Sequence, residues 1–71
     1  MINMQNNIQE LRKAKKLSQE EVAKLCNVTR QTINAVENNK YDPSLSLAFA
    51  LAEILETTVD ELFKPEKNQG L

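Results

Sequence analysis

Residues 18–41 read SQEEVAKLCNVTRQTINAVENNKY, and the six-residue core of that stretch, Thr29 to Asn34, decides how the chain is organised. Ser18 followed by Glu21 has the spacing of a capping box, in which side chain and backbone reciprocally satisfy two N–H groups at a helix start. Thr29 can cap a second helix only a few residues later. Between the two helices stand just Asn27 and Val28. Helices are stiff, so a link this short forces a sharp crossing, which is helix-turn-helix geometry. Small Ala23 lets the two helices approach, while Val22, Val28, Ile33 and Val36 fill the angle between them.

Along the whole chain, the periodicity of apolar residues predicts five helices, over about 5–15, 18–26, 29–38, 44–56 and 58–63. Thr58 with Glu61 forms a second capping-box pattern, and Asp42-Pro43-Ser44 can open the fourth helix from either Asp42 or Ser44. Met4, Ile8 and Leu11 line one side of the first helix, and Val22, Leu25 and Cys26, with Ala23 beside them, line the second. In the fourth, Leu45, Ala48, Phe49, Ala52 and Leu55 make one stripe that reads as core. Leu47, Leu51 and Ile54 widen it to more than half the circumference, as in a central helix or one shared with another chain. Strand alternation is nearly absent; Met1-Ile2-Asn3 and the stretch after Phe63 have room for short extended segments. The expected organisation is one domain over 1–64 and a polar tail over 65–71.

Composition bounds the chemistry. The 71 residues include no histidine and one cysteine, Cys26. Neither a His-assisted nucleophile nor a Cys/His metal set can be built from them, so no catalytic residue, metal or cofactor is assigned. No run is apolar or long enough for a membrane span, and the Met1 end lacks the basic-then-apolar pattern of a secretory signal, so the expected location is cytoplasmic. The net charge of −1 hides an asymmetry: residues 1–40 carry +3 and residues 41–71 carry −4. A locally basic half can meet a polyanion despite an acidic total.

The third helix supplies the groups such an encounter needs. Ile33 and Val36 anchor its apolar side, leaving Arg30, Gln31, Asn34 and Ala35 outward. Arginine makes paired hydrogen bonds to guanine, and glutamine or asparagine to adenine. Lys40 and the amides near it can take phosphate contacts that set register without reading sequence. Arg12 and Glu37 fall at the rims of their apolar faces and suit an ion pair between helices one and three. The plain alternative, a solvated polar helix face, loses ground to the turn geometry.

The stretch SQEEVAKLCNVTRQTINAVENNKYDPSLSLAFALAEIL resembles the Cro/CI-type (XRE-like) helix-turn-helix family of lambda-repressor-like DNA-binding domains over roughly residues 5–63, and RQTIN followed by the V-E, N-K-Y and P-S-L-x-L-A-F elements is similar in particular to a branch of very short regulators that includes the cytolysin-operon repressor type. The resemblance implies an all-α, five-helix domain that binds double-stranded operator DNA as a homodimer, its third helix in the major groove. Carried onto this sequence, it places Thr29, Arg30, Gln31 and Asn34 at base edges, and Gln19, Asn38, Asn39, Lys40 and Tyr41 on phosphates; Ala35, by its small size alone, lets the helix sit close or touch a thymine methyl. Arg12 and Glu37 match a pair that joins helices one and three. Members often have glycine where this chain has Lys16, Asn27 and Asn39. The implied function is a sequence-specific transcriptional regulator, a repressor on a palindromic operator, with no small-molecule ligand evident. The alternative is an antitoxin-type protein that neutralises a partner toxin while also binding DNA, which a co-purifying partner would favour.

Overall fold

The computed structural model describes residues 4–65, in the order β1 (Met4–Asn6), α1 (Ile8–Ala14), α2 (Gln19–Cys26), α3 (Arg30–Glu37), α4 (Leu45–Ile54), α5 (Val59–Leu62) and β2 (Phe63–Pro65). Four of the five helices start at a hydroxyl side chain. Ser18 accepts from the Glu21 N–H while the Glu21 carboxylate takes the Ser18 N–H, so the expected box is complete. Thr29 accepts from Thr32 N–H and Ser44 from Leu47 N–H, which makes Ser44 rather than Asp42 the cap of α4. At α5 only half of the expected box forms: Thr58 accepts from Glu61 N–H, and the Glu61 carboxylate lies 3.4 Å from the Thr58 hydroxyl instead of taking the backbone N–H.

The four longer helices also end alike. At each, one N–H reaches back five residues and the N–H before it three: Leu17 to Arg12 and Lys16 to Lys13, Val28 to Ala23 and Asn27 to Lys24, Lys40 to Ala35 and Asn39 to Val36, Thr57 to Ala52 and Glu56 to Glu53. This is the Schellman ending, which needs a left-handed residue at its bend. Here that residue is Lys16, Asn27, Asn39 or Glu56, each with φ between 56° and 60°.

Three sequence expectations change. Residues 5 and 6, expected at the head of the first helix, belong with Met4 to β1, and Phe63, expected at the end of the fifth, belongs to β2. The two strands pair antiparallel, with Met4 opposite Pro65 and Asn6 opposite Phe63. Pro65 is therefore strand rather than tail. The remainder of the expected tail, and Met1-Ile2-Asn3, lie outside the described residues. On α2, Leu25 is 61% exposed while Ala23 is buried. At roughly 100° per residue, Val22, Cys26 and Ala23 span one arc, and Leu25 lies about 100° from its centre.

The third change concerns α4. Its apolar arc covers roughly 220°, wider than one core can enclose, and the core takes the middle. Leu47, Ala48, Leu51, Ala52 and Leu55 are buried, whereas Leu45 and Phe49 are 69% and 59% exposed. The stripe expected in the core is thus exposed at its outer end, and Leu47 and Leu51 of the second stripe are central. Ile8 of α1, Val22 of α2, Ile33 and Val36 of α3, Leu51 of α4 and Leu62 of α5 are the largest fully buried side chains. Every helix therefore contributes to one core. Among the described residues, no helix is long and apolar enough to cross a membrane, and no group of acidic or cysteine side chains could hold a metal ion.

Candidate nucleic-acid interface

The third helix is held from beneath and open above. Ile33 and Val36 are buried in the core, where α3 packs on α2, while Arg30, Gln31 and Asn34 are exposed and together line one shallow depression. Ala35 beside them is half-buried. Three side chains able to make paired hydrogen bonds therefore share one surface, on a rigid element whose other face cannot turn outward without exposing the core.

The expected ion pair sets the pitch of that element. Arg12 Nε donates to Glu37 Oε2 at 2.6 Å and Nη2 to Oε1 at 3.3 Å. A third guanidinium nitrogen, Nη1, donates to the Leu17 carbonyl at 2.9 Å, at the end of the α1 bend. The pair thus ties α3 to α1 with two parallel bonds, a geometry in which both charges keep hydrogen-bond partners.

Gln19, expected on phosphate, is tied into this network. Its amide donates to Glu37 Oε1 at 3.1 Å, and its carbonyl accepts from Asn34 Nδ2 at 3.4 Å. Asn34 in turn accepts from Asn38, whose amide reaches the Asn34 carbonyl at 2.8 Å. A continuous polar line therefore runs from buried Arg12 to the surface of α3. Thr29 spends its hydroxyl on the cap and on Thr32 Oγ1 at 3.0 Å. Asn38, Lys40 and Tyr41 are exposed on the loop that follows α3, as is Asn39 at the bend.

Sequence reasoning passed over one contributor. Asn6 Nδ2 donates to Val36 O, Glu37 O and Asn39 Oδ1, at 3.0, 3.4 and 2.9 Å. The only local signal was an asparagine pair ahead of a helix, which reads as a cap. Asn7 takes the N-cap position without a side-chain cap bond; Asn6 Oδ1 instead accepts from Ile8 N–H at 3.0 Å in an Asx turn, and its longer reach depends on strand pairing.

Two helices crossing at a three-residue link, Asn27 to Thr29, with the second presenting a hydrogen-bonding face, define a helix-turn-helix DNA-binding domain. The helix-turn-helix family matches residues 8–62, and the chain belongs to that family, in its Cro/CI-type (XRE-like) form. It is 41% identical over 66 residues to a protein of Methanocaldococcus jannaschii described as an HTH-type transcriptional regulator, covering 93% of this chain and all of the relative. It superimposes with a TM-score of 0.71 and 36% identity on the restriction-modification controller protein C.AhdI of Aeromonas hydrophila, over 78% of this chain and 83% of that one. A hydroxypropylphosphonic acid epoxidase of S. wedmorenis matches with a TM-score of 0.74 at 25% identity, but over only 33% of the enzyme, so the likeness is to one segment of it.

Proposed function

We propose that this protein is a sequence-specific transcriptional repressor that binds a palindromic operator as a homodimer, with α3 in the major groove. One observation carries the reading. Arg30, Gln31 and Asn34 lie together on the exposed face of a helix whose opposite face is locked by Ile33, Val36 and the Arg12–Glu37 pair. In this reading, those three read base edges, with Thr29 at the near end and Ala35 small enough to let the helix approach or to meet a thymine methyl. Gln19, Asn38, Asn39, Lys40 and Tyr41 meet phosphates and fix the register. The names of the relatives, an HTH-type transcriptional regulator and a controller protein, agree with a regulatory role.

Two-fold symmetry relates two α3 helices only through a second copy, and it places the half-sites about one helical turn, ~34 Å, apart. Exposed Leu45 and Phe49 on α4 give that copy an apolar face to cover. Repression then follows from occupying a promoter.

Selection of duplexes from a random pool tests the reading most directly. The expected product is an inverted repeat with that spacing, and Arg30→Ala should weaken its binding by ~1–3 kcal/mol and relax the preference at one position in each half-site. Transcription from a promoter containing the selected site should fall when the protein is added. A protein that enriches no sequence over random duplex at moderate salt does not have this function.

A further inference from the structure

We infer that Asn6, which lies outside both the reading face and the backbone loop, is a positioning residue that sets how the 38–41 loop leaves α3; its consequence for DNA rests on the function proposed above. Asn6 is held from two sides. Its backbone lies opposite Phe63 in the β1–β2 pair, and its Oδ1 accepts from Ile8 N–H at 3.0 Å, an Asx turn that opens α1. With those fixed, the Nδ2 group points at three acceptors.

Two of them, Val36 O at 3.0 Å and Glu37 O at 3.4 Å, are carbonyls of the last turn of α3, where intrahelical donors run out. The third, Asn39 Oδ1 at 2.9 Å, belongs to the left-handed residue at which the chain turns out of the helix. One amide therefore grips both the end of the reading helix and the residue that makes the bend. Without it, the bend keeps its backbone bonds, from Asn39 N–H to Val36 O and from Lys40 N–H to Ala35 O, and the Asn38 amide on Asn34 O in the turn before it, none of which reaches outside α3 and its own exit. Lys40 and Tyr41 follow directly, so their direction is referenced through Asn6 to α1 and to the C-terminal strand.

A residue that acts only by aiming the loop should be silent once the loop's main phosphate contact is gone. The test is a double-mutant cycle on the full chain, pairing Asn6→Ser with Lys40→Ala on the selected duplex and on random duplex. Serine keeps a short acceptor for Ile8 N–H and loses the reach to α3. Asn6→Asp is the second variant, retaining the full Asx acceptor while replacing the donor. Each Asn6 variant is expected to weaken specific and random duplex binding alike, by about three- to tenfold, without changing base preference, and to flatten the dependence of log-affinity on log-salt as Lys40→Ala does. In the Lys40→Ala background the further loss should be under about twofold.

Amide exchange in the free protein provides a readout independent of DNA. The Asn39 and Lys40 N–H groups should exchange faster in both variants while those of Val36 and Leu51 do not. Unchanged exchange at 39 and 40, or a binding loss that adds in full to that of Lys40→Ala, overturns the inference. A wild-type protein with no duplex preference sinks the proposed function, and the exchange comparison then still decides the positioning role.

Discussion

Arg12 and Glu37 carry side chains only 10% and 3% exposed, yet each charge has more than one partner. Desolvating two ions is costly, and geometry of this quality offsets the cost only while both are present. Glu37→Ala should therefore destabilise the fold by ~3–5 kcal/mol, because it leaves a guanidinium buried without its carboxylate. The double change Arg12→Met with Glu37→Leu should recover most of that loss in urea titrations. DNA binding should not recover with it, since Gln19 and through it Asn34 lose their anchor on Glu37. At the exposed end of α2, Glu21 is held below its ordinary carboxylate value of 4.5, first by the Ser18 backbone N–H and then by the Ser18 side chain. A carboxylate depressed by folding stabilises the native state above its unfolded value and stops doing so as pH falls through the folded one. The stability advantage of wild type over Glu21→Ala should thus be full at neutral pH and decline on acidification below about 4.5, as followed by helical signal against denaturant.

The helices show what local chemistry can and cannot specify. The starts of α2 and α3 were legible because Ser18 and Thr29 are followed at the right spacing by the groups they serve, and Ser44 stood among the candidates for α4. The start of α1 was not legible, since Gln5 and Asn6 become a strand only by pairing with residues 63–64, nearly the whole described chain away. Helix ends fall between these cases. Two of the four bends use asparagine, which tolerates the left-handed region, while Lys16 and Glu56 carry ordinary side chains there. Resemblance to the family pointed to 16, 27 and 39 but not to Glu56. For a residue with a β-carbon the left-handed bend costs ~1–2 kcal/mol, while glycine gives back ~0.4–1 kcal/mol through the unfolded chain. Lys16→Gly should therefore raise stability by ~0.5–1 kcal/mol in thermal melts, and Asn27→Gly should stay near neutral. A destabilising Lys16→Gly would mean that the lysine side chain contributes packing that outweighs the strain.

Across the whole molecule, the outward polar face of α3 was legible residue by residue, whereas the apolar surface was misplaced. Arg30, Gln31 and Asn34 were separable from Ile33 and Val36 because α3 has few apolar residues and so only one way to bury them. On α4 nearly every position is apolar, and periodicity cannot say which part of an over-wide arc faces inward. The structure spends its middle on the core and leaves Leu45 and Phe49 outside, with Pro43, Val59 and Phe63 adjoining Leu45 and Ala50 and Val59 adjoining Phe49. In a two-fold operator complex each copy holds one half-site, so joining the copies makes the second engagement intramolecular. A charge introduced at this face should separate those two contributions. Phe49→Glu leaves the buried side of α4 untouched, and its thermal melt at low concentration should match that of wild type. Sedimentation equilibrium should show it as monomer at concentrations where wild type is dimeric. Its affinity for the full palindrome should fall by about tenfold or more, toward its affinity for a single half-site, which should not change. If instead both proteins sediment as the same species and bind the palindrome equally, the two-fold contact lies elsewhere than on Leu45 and Phe49.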